Sequence, residues 1–480
     1  MIRVWLEALN HVNIVQIDYA ADDEAVMSSS SALLILGTLL LSTNLWAEPA
    51  SQRRPKPRSR KAHPAKPLVV EHPPRPAPPP PPPSLWTFDL NLTMIGTLST
   101  ASVIGGSLNP ANDMLALPSR QLSFEVRPDL KARYASDATF VLRPRMTVTQ
   151  DSTHQSSGTQ QRTSNDTYVN EGYVAVSHMS NLQSVTGLQS YQWGAAELAS
   201  PSNLFFRDLG LDKNYFYETR GQSLVRVNYS PDIGSSFVLI DQPIDNWAKR
   251  PVAAGEFHPK SLVKWEKADA TQTNYLGLVL SSVKQGAPHY GVYGNWELVT
   301  SWTAYADAST QRGSDVYYPT ADSSPSFAQT RSNSGRWNSC YLIGSRYVTS
   351  HQVDMRLEYL RNEEGWTNAE RHQALQIVAL DPQPRNVALL QNAGALLPGQ
   401  SYLYSSVRYA GWGWNDRFTL IWRGIHALGD GSEQLQLNID GSVYDHIILS
   451  GGTSYRIGHE ADELVQGVRS TSYGAVAWAW

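Results

Sequence analysis

Residues Gln121 to Tyr134 alternate without a break. Leu122, Phe124, Val126, Pro128, Leu130, Ala132 and Tyr134 occupy every second position, and Gln121, Ser123, Glu125, Arg127, Asp129, Lys131 and Arg133 fill the positions between. A period of two is that of an extended strand whose two faces meet different environments. The next segment sets Phe140, Leu142, Pro144, Met146 and Val148 against Val141, Arg143, Arg145, Thr147 and Thr149. Further along, Val353, Met355, Leu357 and Tyr359 oppose Asp354, Arg356 and Glu358, while Phe418, Leu420 and Trp422 oppose Arg417, Thr419 and Arg423. Pro128 and Pro144 lack the N–H that a central ladder strand donates, so a bulge or a strand end is expected at each.

The spacing of polar connections adds a second regularity. Long loops are expected after Leu98, Gln150, Gly194 and Asp241, and short turns after Tyr134 (Ala135-Ser136-Asp137), Ser180, Ser230 and Lys267. Alternating long and short connections put all long loops at one end of an up-and-down barrel, as in outer-membrane barrels; a soluble sandwich has no reason to sort them. His289 to Tyr305 should hold two strands, Asp381 to Gln400 a short helix, and the polar stretch Ser309 to Arg336 is a candidate for a loop that folds inward. The chain ends Tyr473-Gly474-Ala475-Val476-Ala477-Trp478-Ala479-Trp480, with two aromatics on one face of the last strand. This resembles the C-terminal signal of bacterial outer-membrane barrels, which implies that Trp478 and Trp480 are read by the barrel-assembly machinery. The expectation is an all-β, transmembrane, antiparallel up-and-down β-barrel over residues 86–480, with about 16 to 18 strands and a water-filled lumen.

Composition is consistent with a barrel once it is split by position. Mean hydropathy is −0.35 and the single apolar run, Ala32 to Leu41, is shorter than the roughly 20 residues a spanning helix needs, so a helical membrane bundle is excluded. One cysteine, Cys340, excludes a disulfide scaffold and a Cys-based zinc cluster. The apolar run follows Met27 and precedes Ala47, the pattern of a signal peptide, with residues 1–26 read as an over-extended start. Residues 48–85 carry eight Lys or Arg against two Glu and run into Pro78 to Pro83; they are read as a disordered, basic, Pro-rich periplasmic linker, extended where it is polyproline II. A plain spacer and electrostatic contact with an anionic polymer such as the cell wall both fit that composition. Net charge is −4 overall, and Trp86 to Trp480 carries −6. Neither value points to nucleic acid.

A narrower likeness rests on one segment. Val169-Asn170-Glu171-Gly172-Tyr173-Val174, Gly187-Leu188-Gln189-Ser190-Tyr191-Gln192-Trp193-Gly194 and Ser200-Pro201-Ser202-Asn203 resemble the N-E-A-Y-V, G-R-Q, W-G and P-x-N run of porin-like barrels in the alginate-export and related families. Leu188 stands where those families carry Arg. The resemblance implies a porin-like channel with Glu171 and Gln189 facing the lumen.

With one strand face toward lipid, Glu125, Arg127, Asp129, Lys131, Arg133, Arg143 and Arg145 project inward from neighbouring strands about 4.8 Å apart. Charged walls inside a pore choose the sign of the permeant, and an anionic or neutral sugar-like solute is the expectation. The alternative is that these charges pair across the lumen and only keep it solvated. No cofactor or metal is expected, since the acid pairs lack the spacing of calcium loops. The histidines are scattered, with no i, i+4 pair and no Gly-x-Ser-x-Gly elbow; Gly458-His459-Glu460 near Asp462 is the nearest approach to an acid/base cluster. The chain is therefore read as a passive channel and not an enzyme, among outer-membrane lipid and lipopolysaccharide. A rim-active barrel hydrolase and a secreted β-protein that binds glycans through Trp and Tyr are the competing readings.

Overall fold

The computed structural model describes residues 85–480 apart from 107–108, 136, 206–212, 246–256, 284–287, 321–324, 330–334, 414–415 and 466. The segments expected to be a signal peptide and, but for its last residue, a basic linker lie outside the described residues. Strands β1 (Trp86–Val103), β2 (Arg120–Tyr134), β3 (Ala138–Gln155), β4 (Gly158–Met179) and β5 (Leu182–Gln189) open the barrel. They are followed by β6 (Gln222–Asp232), β7 (Ser235–Gln242), β8 (Lys260–Ala268), β9 (Tyr275–Val283), β10 (His289–Val299) and β11 (Trp302–Arg312). After a small hairpin of β12 (Tyr318–Thr320) and β13 (Ser326–Ala328) come β14 (Trp337–Val348), β15 (Val353–Asn362), β16 (Ser401–Trp412), β17 (Phe418–Ala427), β18 (Glu433–Tyr444), β19 (Ile447–Ile457) and β20 (Val468–Ala479). Apart from the hairpin, each strand pairs antiparallel with its neighbours in sequence, and β20 pairs with β1, Met94 opposite Trp478. The result is a closed 18-stranded up-and-down barrel, at the top of the expected range. Closure leaves no free sheet edge along the paired length.

The alternation sets inside and outside. Leu90, Leu122, Phe124, Val148, Leu239, Leu280 and Leu357 are exposed on the outer wall, a continuous apolar surface that suits hydrocarbon. The two prolines sit opposite each other in a gap of the β2–β3 ladder, which pairs Val126 with Met146 and resumes at Leu130 with Leu142. Pro144 also marks a bulge, with Asn170 as the extra residue of β4. Carbonyls in this gap lack ladder partners, and the Arg145 guanidinium donates to both Pro144 O (2.8 Å) and Pro128 O (3.4 Å).

Short connections, among them 180–181, 300–301 and 445–446, cluster at the end that holds Trp86 and Trp480, and the long ones, 190–221, 243–259, 313–336 and 363–400, lie at the other. Two boundaries differ from expectation. The strand read as ending at Leu98 continues to Val103, and the long loop expected after Gln150 is instead a hairpin in which β3 runs to Gln155 and β4 restarts at Gly158. Apart from His154 and Gly158, residues 150–167 are Ser, Thr, Gln, Asn and charged side chains on both faces. A strand that continues beyond an apolar layer needs no apolar face, so alternation cannot reveal it. The 363–400 connection holds α1 (Asn368–Leu380) and α2 (Pro384–Gln391). The second lies in the stretch expected to be helical; the first, started by a capping box of Thr367 and Glu370, was not anticipated. Tyr318 and Phe327 of hairpin β12–β13 share an apolar cluster with Ala374 of α1, Val316 and Trp366, so the described part of the 313–336 stretch belongs to a cap and the inward loop is a different one.

Candidate functional site

The lumen is narrowed by the connection 190–221, which leaves the end of β5 and turns into the barrel. Its apolar residues find apolar partners on the inner wall: Leu198 packs with Tyr305, Leu342, Leu360 and Tyr404, and Trp193 and Phe205 pack with Leu224, Ile240, Leu262 and Tyr293. Polar anchors then fix its path. Glu358 on β15 accepts from the backbone N–H of Glu197 (2.7 Å) and Leu198 (2.8 Å) and from the Tyr305 hydroxyl (2.6 Å). Asp307 on β11 accepts from Ser200 Oγ (2.6 Å) and Ser202 N (2.7 Å). Gly194, at φ 88°, turns the chain beside Asp307, where a Cβ would stand 3.0 Å from the carboxyl oxygen; the left-handed backbone and the close approach both call for glycine. On the return path Arg423 Nη1 and Asn438 Nδ2 donate to Lys213 O, and Arg127 Nη1 donates to Phe216 O.

Between this loop and strands β15 to β17 lies a recess of about 310 Å³, lined by Glu197, Lys213, Asp354, Arg356, Ser406, Arg408 and Arg423, with Ala196 and Ile421. Register explains the convergence. Arg356 is opposite Ser406, Ser406 opposite Arg423, and Arg408 opposite Ile421; all lie on inward-facing positions of three adjacent strands. Glu197 from the loop bridges Arg356 (3.5 Å) and Arg423 (3.3 Å), and Asp354 contacts Arg346 (2.9 Å) and Arg356 (3.6 Å). Four cations therefore meet two carboxylates in the lining. Arg408 is exposed and has no ion pair among the described residues. It is the group in the recess most open to a solute anion.

The residues expected to form a basic wall lie on the opposite arc. Arg127 pairs with Glu125 (2.9 Å) and Glu218 (3.5 Å), and Arg143 with Glu171 (2.6 Å) and Asp129 (3.8 Å). Arg145 is fully buried between Asp129 (2.9 Å) and Glu218, whose two oxygens it holds at 2.7 and 2.9 Å. Burial raises the Glu218 carboxyl, but its contacts with Arg145, Arg127 and Arg143 outweigh this and hold it below the ordinary carboxylate range. Arg133 meets Asp89 at 3.1 Å near the short-turn end, and Lys131 lies one inward position away with no ion pair among the described residues. Glu171 also caps Ser190 N (3.1 Å), and Gln189 donates to Leu224 O (3.0 Å) from a buried position at the end of β5. Trp478 and Trp480 stack at 5.2 Å, and Trp480 exchanges backbone hydrogen bonds with Leu92. His459 and Asp462 meet through the His459 backbone N–H (2.6 Å), a turn contact. Glu218, Glu197, Arg356, Arg408 and Arg423 were not selected from sequence; the signal available was the polar face already visible around Arg356 and Arg423.

No protein-family model and no curated protein matches the chain. Among solved structures, OccAB1 of Acinetobacter baumannii aligns with a TM-score of 0.50 at 8% identity, over 82% of this chain and 96% of that one. The outer membrane protein OprD of Pseudomonas aeruginosa aligns at 0.47 and 10% identity, over 82% and 94%, and OccK7 (OpdD) of the same organism at 0.47 and 10%, over 82% and 99%. The likeness is one of fold.

Proposed function

We propose that the chain is a porin-like channel of the bacterial outer membrane that passes small hydrophilic solutes passively and favours anions, acidic sugars among them. The observation that carries this reading is the recess at the constriction, where Arg356, Arg408, Arg423 and Lys213 face Glu197 and Asp354. In a narrow lumen with low-dielectric walls, an excess of fixed positive charge raises the local concentration of anions and lowers that of cations. The wall of β2 to β4, where carboxylates answer Arg127, Arg143 and Arg145, keeps the lumen solvated and braces the loop. The run Val169 to Asn203, which resembles the alginate-export and related porin families, supplies Glu171 and the first half of the inward loop, in keeping with the same reading.

In this reading the apolar outer wall lies in outer-membrane lipid, the short turns with Trp86 and Trp480 face the periplasm, and the long loops face outward. The basic segment before residue 86 is then a periplasmic leash within reach of the cell wall, and Trp478 and Trp480 present the assembly signal. The test is a planar-bilayer measurement of reversal potential, with sugar acids and neutral sugars as blockers. Wild type should be anion-selective. Arg408→Ala, which removes no ion pair, should lower the anion-to-cation permeability ratio several-fold and weaken block by sugar acids more than by neutral sugars. Strong cation selectivity that Arg408→Ala leaves unchanged would overturn the proposal.

A further inference from the structure

On the outer wall, β15 carries Met355, Leu357, Tyr359 and Arg361 at successive outward positions. Met355 and Leu357 are exposed. Four residues of strand rise by about 13 Å, so Arg361 stands about 10 Å above Leu357 along the barrel axis once strand tilt is allowed for. It is the last outward position of β15 and, on the outer-membrane reading, stands where the apolar belt gives way to lipid head groups. Its register partners are Tyr341 on β14 and Ser401 on β16, and Tyr341 and Tyr359 pack ring to ring just below it (6.2 Å). Tyrosines in that position are characteristic of a membrane interface.

Above Arg361, residues of the long connection 363–400 together with Leu428, Gly429 and Glu463 border an open cavity of about 470 Å³. Its lining combines Arg361 and Ser401 at the strand tops with Asn368 and Gln400 above and the exposed Leu428 to one side. The Arg361 guanidinium donates one hydrogen bond, to Ser401 Oγ at 2.6 Å, and has no carboxylate partner among the described residues. Of its five N–H donors, about four are left for a ligand. The one carboxyl in the lining, Glu463, is itself buried and bonded to the Tyr402 hydroxyl. An unpaired guanidinium, an apolar lip and a roof of amide groups, set directly over hydrocarbon, complement a phosphorylated sugar that carries acyl chains.

We infer that the cavity over Arg361 is a binding site for the phosphorylated head group of an outer-leaflet glycolipid, lipopolysaccharide, whose acyl chains lie along Leu357 and Leu403. The inference rests on the outer-membrane reading above. Occupancy would tie the cap to the strand tops from outside the lumen and leave the solute path free.

The test uses the full chain purified in detergent, with the temperature at which heat-modifiable gel mobility is lost followed against added lipid. The probes are bis-phosphorylated lipid A, the same lipid dephosphorylated, and inorganic phosphate. Lipid A should raise that temperature in wild type and in Arg361→Lys. Arg361→Gln should bind on the order of tenfold more weakly, the effect of losing a charge-assisted hydrogen-bond donor. Equal binding by Arg361→Gln, an equal effect of the dephosphorylated lipid, or an equal effect of inorganic phosphate would overturn the assignment. So would an equal loss in Arg312→Gln, where the cation tops β11 outside the cavity. Bilayer conductance measured on the same preparations keeps the two readings apart: a wild-type protein that conducts but ignores lipid A refutes this site alone, and one that binds lipid A without conducting counts against the channel alone.

Discussion

Replacing Glu358 by alanine should release the first arm of the inward loop. Glu358 is fully buried, and its two oxygens accept from two consecutive backbone amides, Glu197 and Leu198, and from Tyr305. Alanine leaves both amides facing the apolar cluster around Tyr305, Leu360 and Tyr404 with no acceptor. A buried donor left without its partner costs about 1–3 kcal/mol, so the pair costs about 2–6 kcal/mol even if the tyrosine hydroxyl turns to another acceptor. Taking about 4 kcal/mol, the ratio of docked to undocked arm falls by roughly a thousandfold. The second anchor, Asp307 with Ser200 and Ser202, stays in place, so the loop remains tethered and the change is confined to residues 195–199. Single-channel recording should show a larger unitary conductance with added open-channel noise. Glu358→Gln, which keeps one acceptor oxygen but turns an NH₂ group toward an amide donor, should fall between alanine and wild type. A folded, heat-modifiable Glu358→Ala protein with wild-type conductance and noise would refute the anchoring argument.

Arg145→Met should lower the temperature of heat modification. It leaves Asp129 and Glu218 facing each other without the buried guanidinium that joins them, and breaking such a pair costs about 3–5 kcal/mol; the same variant should shift selectivity toward cations, and unchanged values of both would count against a bracing role. In the outer cap, burial and then the neighbouring Asp430 push the Glu463 carboxyl up to about 7, with Asp462 adding to this and the Tyr402 hydroxyl and Arg371 opposing it. Because the folded value lies above the ordinary 4.5, docking of the 458–467 connection is strongest below about pH 4.5. It weakens as pH rises to about 7, by on the order of 3 kcal/mol. Hydrogen-exchange protection of that connection, corrected for intrinsic rates, should fall between pH 5.5 and pH 8 in wild type and stay flat in Glu463→Gln.

The barrel was legible because its physics is local. Alternation over Leu122 to Tyr134 and Val353 to Tyr359 marks β2 and β15, the sorting of connections marks the two ends, and His289 to Tyr305 does hold parts of two strands, β10 and β11. The ion-pair partners were not legible, for an equally physical reason. Glu218 meets Arg145 across 73 residues of sequence and Glu197 meets Arg423 across 226, and a pairing made by a loop crossing the lumen leaves no periodic trace at either residue.

The inward loop did leave a trace, in the places where alternation fails. A lumen filled only with water has no use for inward apolar residues, so a strand with apolar side chains on both faces reports that something dry covers its inner face. Phe237-Val238-Leu239-Ile240 on β7 and Tyr402-Leu403-Tyr404 on β16 are such runs. Val238, Ile240, Tyr402 and Tyr404 are the inward members, each buried. The first two belong to the cluster around Trp193 and Phe205, the second two to the cluster around Leu198. The connection 190–221 supplies the loop side of the first cluster, and that of the second together with Leu397 and Leu464 of the cap. Strands whose inner faces stay polar, such as β2 and β18 with Gln434, Gln436 and Asn438, meet the return path of that connection through hydrogen bonds instead, Arg127 to Phe216 O and Asn438 to Lys213 O. The errors in the period-two pattern thus locate the docking surface of the constriction, and the recess with Arg408 lies at its edge, where the inner face of β16 changes from Tyr404 to Ser406 and Arg408.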